Sequence, residues 1–174
     1  STATAFVAIA GADVAVRLLA HVRENCGDTL SSFEIMSRSC LDLVFKHIPG
    51  TSEPFAGQYE YYLLIQSSDV LPGLLDGALR AALQSFGPGV LEVSVTSDAD
   101  AAEKWWKLRE SISEAQKREG ISVKHDISVP VSRMAEFITR AGAVLRDAFP
   151  GVRIVSFGHV GDGNVHYNVS MPDA

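Results

Sequence analysis

The sequence predicts an α+β domain: a ferredoxin-like antiparallel sheet with helices packed on one face, elaborated by extra helices. Three observations carry that expectation. Short apolar runs of strand length alternate with longer stretches of helical periodicity. The chain opens on a strand–helix–strand pattern compatible with a split βαβ unit. It closes on two apolar runs, residues 153–160 and 165–171, either side of a Gly-Asp-Gly-Asn turn, which reads as a β-hairpin. Helices confined to one face would leave the other sheet face available to a partner or another domain.

The elements follow in order. Residues 4–9 are a short apolar strand, and residues 13–23 place Val16, Leu18, Leu19 and Val22 at helical spacing before Asn25 and Gly27. Residues 29–35 alternate like a strand, and residues 39–47 form a short helix closed by Pro49-Gly50. Residues 50–57 are rich in turn formers and read as a mobile loop. A third strand, residues 59–65, is aromatic and β-branched; a helix over 69–86 carries Pro72 in its first turn. Gly87-Pro88-Gly89 stops it before a fourth strand at 90–95. One long helix is expected over 98–119, capped by Ser97 and ended by Gly120. Residues 123–129 are extended up to Pro130, and a last helix spans 132–149 ahead of Pro150-Gly151 and the hairpin.

A chain of 174 residues can bury a substantial core in one domain. Its net charge of −6 argues against nucleic acid, which demands a basic stripe. No apolar run reaches membrane-span length, and no signal peptide opens the chain. The abrupt start and finish in strand-like runs suggest a piece of a larger protein. Cys26 and Cys40, without a CxxC motif, read as reduced thiols packing as small apolar groups.

The closing hairpin carries the first candidate site. A tight turn centred on Asp162-Gly163 would set His159 opposite His166, with Asn168 two residues on and on the same face. Two neutral imidazoles suit a divalent ion such as zinc, but the ion needs at least one more ligand, and after His166 only Asp173 offers one. Asp162 itself reads as a turn former. The glycines are no dinucleotide fingerprint, because they join two strands and open no helix.

Two further clusters stand out. In Trp106-Lys107-Leu108-Arg109-Glu110-Ser111-Ile112-Ser113, Arg109 and Ser113 are four apart and share a helix face. A guanidinium beside a hydroxyl suits a carboxylate ligand; an ordinary helix ion pair of Arg109 with Glu103, Glu110 or Glu114 fits the spacing equally. Trp105 and Trp106 read as core or contact residues. In Lys124-His125-Asp126-Ile127-Ser128, strand alternation puts Lys124, Asp126 and Ser128 on one side, making Lys124 a candidate anion partner.

In that order, WKLRESISEAQKREG, VKHDISVPVSR and GHVGDGNVHYNVSMP resemble the C-terminal domain of FAD-linked oxidases of the D-2-hydroxyacid dehydrogenase type. The upstream AFVAIAG and SSFEIMSRSCLDLV segments extend the resemblance to nearly the whole chain, nearest the D-2-hydroxyglutarate dehydrogenase branch. The resemblance implies that residues 1–174 are a substrate-binding cap domain, with FAD held mainly by a separate domain of the same polypeptide. It implies a 2-hydroxyacid substrate oxidised to the 2-oxoacid and names no electron acceptor. His159 and His166 would be catalytic ligands of a divalent metal, zinc by family. Arg109, Ser113 and Lys124 would hold substrate carboxylates, and Asn168 would add a hydrogen bond. Ser113 stands where that branch carries Thr, which preserves the hydroxyl. A Glu-His pair supplying a further ligand and the catalytic base would lie beyond Ala174, so the isolated chain is expected to be inactive and to bind zinc weakly. The compartment implied is the cytoplasm in a bacterium and the mitochondrion in a eukaryote. The alternatives are a non-catalytic α+β module binding a small anion or a protein partner through an open sheet face, and, more remotely, a zinc hydrolase.

Overall fold

β1 (Thr2–Ile9) shows why this sheet is covered on both sides. From Ala3 to Ile9 every residue is buried, so neither face can meet water. In the computed structural model, residues 1–70 and 74–172 are described; Pro72 and Asp173 lie outside them. The elements run β1, α1 (Ala12–Cys26), β2 (Leu30–Ser37), α2 (Arg38–His47), β3 (Tyr61–Ser68), α3 (Leu75–Ser85), β4 (Val90–Thr96), α4 (Ala99–Glu110) and α5 (Ile112–Glu119). They continue with β5 (Asp126–Ser128), α6 (Met134–Ala148), β6 (Arg153–His159) and β7 (Asn164–Ser170).

Seven strands form one sheet in the order β4-β1-β3-β2-β6-β7-β5, and every neighbouring pair is antiparallel. The first four strands are the predicted ferredoxin-like core: β1-α1-β2 steps over β3, and β3-α3-β4 steps back over β1. The hairpin β6–β7 extends the sheet from β2, and β5 ends it. The α+β class is as expected.

The placement of the helices is not. Ala5, Val7, Ile9, Phe33, Ile35, Leu63 and Ile65 pack against α1, α3 and α6. Phe6, Ala8, Met36, Tyr62, Leu64, Val155 and Phe157 pack against α2, α4 and α5. The helices therefore lie on both faces, and among the described residues the sheet has no open face of the kind expected. The physical reason was visible in Ala5-Phe6-Val7-Ala8-Ile9, a continuous apolar run rather than an alternating one.

Two local expectations also change. The long helix is two, with Ser111 (φ −82°, ψ −6°) closing α4 and leading into α5. Its N-cap is Asp98, whose carboxylate accepts from the Ala101 N–H at 3.1 Å, not Ser97. The 50–57 segment has no regular structure but is anchored, by buried Phe55 beneath Phe6 and by the Arg38–Glu53 ion pair. Trp105 packs on Phe6, and Trp106 donates to Gln66, as core-contact residues should. Cys40 is buried and its thiol is pushed up to about 11 by burial. Both cysteines are free. No helix among the described residues is long and apolar enough to cross a membrane.

Glu119 fixes the end of α5. Its carboxylate accepts from Lys46 at 2.8 Å, His47 at 2.5 Å and Arg153 at 2.6 Å, joining α5 to the end of α2 and the start of β6. Those bonds, Lys46 first, hold its carboxyl at about 2, well below the ordinary 4.5. A depressed carboxyl stabilises the fold above its unfolded-state value and loses that contribution as pH falls through the folded one. Glu119→Gln is therefore expected to lower the urea midpoint at neutral pH, with the gap to wild type closing as pH falls from 4.5 to 2. A gap constant over that interval would exclude the linkage.

Candidate active site

The site forms where the β6–β7 hairpin meets β2, β5 and the α4–α5 pair. The hairpin exists as predicted, but its register is different. Phe157, not His159, faces His166. Val160–Asp162 form a 3-10 turn that Gly163 closes in the left-handed region at φ 69°, so the ladder stops before His159. His159 instead pairs with Glu34 on β2. Alternation still leaves Phe157, His159, His166 and Asn168 on one face, the one covered by α4 and α5.

The glycines of the motif have structural causes. A Cβ at Gly158 would press into the Asn164 carbonyl oxygen, and one at Gly163 into that of Val129. Gly163 also accepts from the Val129 N–H at 2.9 Å, which holds the strand leading out of β5 against the turn.

Each histidine has a carboxylate partner. His166 Nδ1 pairs with Asp126, its cross-strand neighbour on β5, and its ring lies 4.7 Å from that of Phe157. His159 Nε2 lies 3.2 Å from Glu34 Oε1, with Asp162 4.0 Å from Nδ1. Glu34 is 5% exposed and takes a second partner: Arg109 Nε donates to its Oε2 at 2.9 Å. The Arg109 guanidinium sits 4.8 Å from the centre of the Phe157 ring. Thus the partner of Arg109 is none of the helix acids but a strand residue 75 positions earlier.

A polar cavity of about 140 Å³ is lined by Ser113, Gln116, Lys124, His125, Asp126, Phe157, His166 and Asn168. Four of the predicted residues, Ser113, Lys124, His166 and Asn168, therefore converge on one space. Arg109 and His159 are outside that lining: Arg109 is joined to it through Phe157, and His159 reaches Arg109 through Glu34. Asn168 is 5% exposed and tied at both ends, donating to Gln116 at 3.1 Å and accepting from the His125 N–H at 3.1 Å. Glu34, Asp126 and Gln116 were not singled out from the sequence. For Asp126 the signal existed, since it shares the Lys124 side of the strand; for Glu34 it did not.

Among the described residues, no group of three or more His, Cys, Asp or Glu side chains is arranged to hold a metal ion. His166 engages Asp126 through Nδ1 and has Nε2 unpaired among the described residues, the arrangement common in metal-binding histidines, whereas His159 has a carboxylate beside each ring nitrogen.

The antiparallel sheet thus gathers an arginine, a lysine and two carboxylate-backed histidines on one covered face. The chain belongs to the family described as FAD linked oxidases, C-terminal domain, which it matches over residues 1–174. It is 35% identical over 169 residues to a D-2-hydroxyglutarate dehydrogenase of Xanthomonas citri pv. viticola, covering 97% of this chain and 35% of that protein. It is 30% identical over 163 residues to the mitochondrial D-2-hydroxyglutarate dehydrogenase of Arabidopsis thaliana, covering 90% of this chain and 28% of that protein. The mitochondrial enzyme of that name from Rattus norvegicus is 29% identical over 178 residues, covering 95% of this chain and 31% of that protein. The chain spans about a third of the length of the curated relatives it matches.

Proposed function

We propose that residues 1–174 are the substrate-binding domain of an FAD-dependent dehydrogenase that oxidises a D-2-hydroxyacid, with D-2-hydroxyglutarate as first candidate. The observation that carries this reading is the convergence of Ser113, Lys124, His166 and Asn168 on one polar cavity beside Arg109. The family match and the names of the relatives support it.

A 2-hydroxydicarboxylate brings two negative ends and a hydroxyl. Arg109 offers a planar fork to one carboxylate, since neither of its Nη atoms hydrogen-bonds protein among the described residues. Lys124 offers a point charge to the other end, and Ser113 a hydroxyl donor. Holding both ends fixes the direction of the C2 hydrogen, and the entropy lost at binding is no longer lost at reaction. His166, kept in place by Asp126 and Phe157, stands at the cavity wall with Nε2 unpaired among the described residues. His159 and His166 would be two ligands of a divalent ion, zinc by donor chemistry, completed by residues outside this chain. Such an ion lowers the pKa of a bound hydroxyl. The flavin, bound by another domain of the same polypeptide, supplies the hydride acceptor, and that redox chemistry is the cofactor's own.

The partner-docking alternative relied on an open sheet face, and both faces are covered.

The test is flavin reduction in the complete polypeptide loaded with FAD. Mixed without oxygen with D-2-hydroxyglutarate, it is expected to lose its oxidised-flavin absorbance, and to keep it with the L enantiomer. Unchanged absorbance with every D-2-hydroxyacid tried, or equal rates for both enantiomers, would overturn the reading.

A further inference from the structure

We infer that Glu34 is a positioning residue that aims Arg109 and His159 together, an inference that rests on the proposed substrate-binding role of Arg109.

Glu34 is an anomaly in its strand. Its neighbours Phe33, Ile35 and Met36 are 2%, 2% and 0% exposed, and Glu34 itself is 5% exposed. Taking a carboxylate that far out of water costs several kcal/mol unless it is paired, and even a paired ion adds little net stability compared with a well-packed apolar residue. A leucine or methionine there would extend the core that Met36 already joins. The charge is therefore better explained by what it holds than by stability.

It holds two things. Oε2 accepts from Arg109 Nε at 2.9 Å, and Oε1 lies 3.2 Å from His159 Nε2. The strand pairing makes this bridge rigid, because Glu34 and His159 are direct cross-strand partners and Glu34 faces Leu64 on its other side. Arg109 is then restrained on two sides: its Nε edge by Glu34 and its ring-facing side by Phe157 at 4.8 Å. Only the Nη edge is left for a ligand, and it presents a flat pair of donors to a carboxylate. On the other side, His159 has its Nε2 turned to Glu34, and its Nδ1 faces only the exposed Asp162, 4.0 Å away. One carboxylate therefore selects which edge of the guanidinium stays free and which nitrogen of the imidazole is tied to the sheet. Arg109 sits in the last turn of α4, and His159 ends β6, so no element of secondary structure links the two directly.

The test is a double-mutant cycle in the complete FAD-loaded polypeptide. The ligand is the inert dicarboxylate glutarate, and its binding is read from the perturbation of the flavin spectrum. Glu34→Gln keeps the shape and loses the charge. It is expected to weaken glutarate binding about ten- to hundred-fold, the range seen for outer-shell partners. Turnover should show the loss in KM as well as kcat. In an Arg109→Ala background, the same substitution is expected to change binding less than about two-fold, because Glu34 has nothing left there to aim; coupling of that kind marks residues acting as a unit. Glu34→Asp keeps the charge but is too short to reach both partners, and it supplies the same cycle if Glu34→Gln folds poorly. An equal loss with and without Arg109 would overturn the inference and leave Glu34 a purely structural residue. Wild type that neither binds glutarate nor oxidises a D-2-hydroxyacid would instead remove the functional reading itself.

Discussion

Gly163→Ala is expected to lower stability more than any other single-methyl addition to the hairpin. The residue sits at φ 69°, where an L side chain costs roughly 1–2 kcal/mol. Its new methyl would also overlap the Val129 carbonyl oxygen, a backbone atom that cannot swing aside. Overpacking of that kind costs roughly 1–3 kcal/mol. Together these approach about 2–5 kcal/mol, a large share of the 5–15 kcal/mol that holds a typical domain. Gly77→Ala is the control: it lies within α3 with no atom within 4 Å of the added Cβ, so the helix preference for alanine should raise stability slightly. Urea unfolding of both variants measures the contrast. A Gly163→Ala midpoint equal to wild type would show that the turn relaxes freely and that the motif's glycine is not required by geometry.

Arg109→Ala carries the largest expected effect on activity. It removes the proposed carboxylate fork, and it also leaves Glu34, 5% exposed, without its guanidinium partner. Truncating one member of a buried, hydrogen-bonded charge pair costs roughly 2–5 kcal/mol, about thirty- to several-thousand-fold in kcat/KM. Arg109→Lys should recover only part of this, because an ammonium cannot serve Glu34, the Phe157 ring and a ligand carboxylate in one plane. Steady-state kinetics of the complete enzyme with D-2-hydroxyglutarate decide the matter. A kcat/KM within about three-fold of wild type in the alanine variant would exclude Arg109 from substrate binding, since that is less than 1 kcal/mol.

The helices were readable from their period: in α1, Leu18, Leu19 and Val22 form a buried stripe and Val16 is half-buried at its edge. The break at Ser111 was not readable, since that residue keeps near-helical angles and the apolar spacing runs through it. The hairpin was legible but its register was not, because Val160 and Gly161 look like strand and turn when counted along the chain, yet join a 3-10 turn. That error moved His159 from His166 to Glu34. Ser113, Lys124, His166 and Asn168 were found from local patterns and do meet. Glu34 escaped because a lone acid among apolar strand residues looks solvent-facing, and its partners are supplied by α4 and β6, far along the chain.

The site also inherits an unequal mechanical footing. β5 is three residues long and terminates the sheet, paired only to β7, yet Asp126 and the adjoining Lys124 form one wall of the cavity. Glu34 and His159 sit between strands in the interior of the same sheet. Local opening free energies in a protein range from near zero at its margins up to the global value at its centre. Opening at the wall bearing Lys124 is therefore expected to cost less free energy than opening at the Glu34 bridge, a difference that native-state hydrogen exchange would measure. The pocket is thus walled on one side by the margin of the sheet, while the bridge beside it is set in the interior.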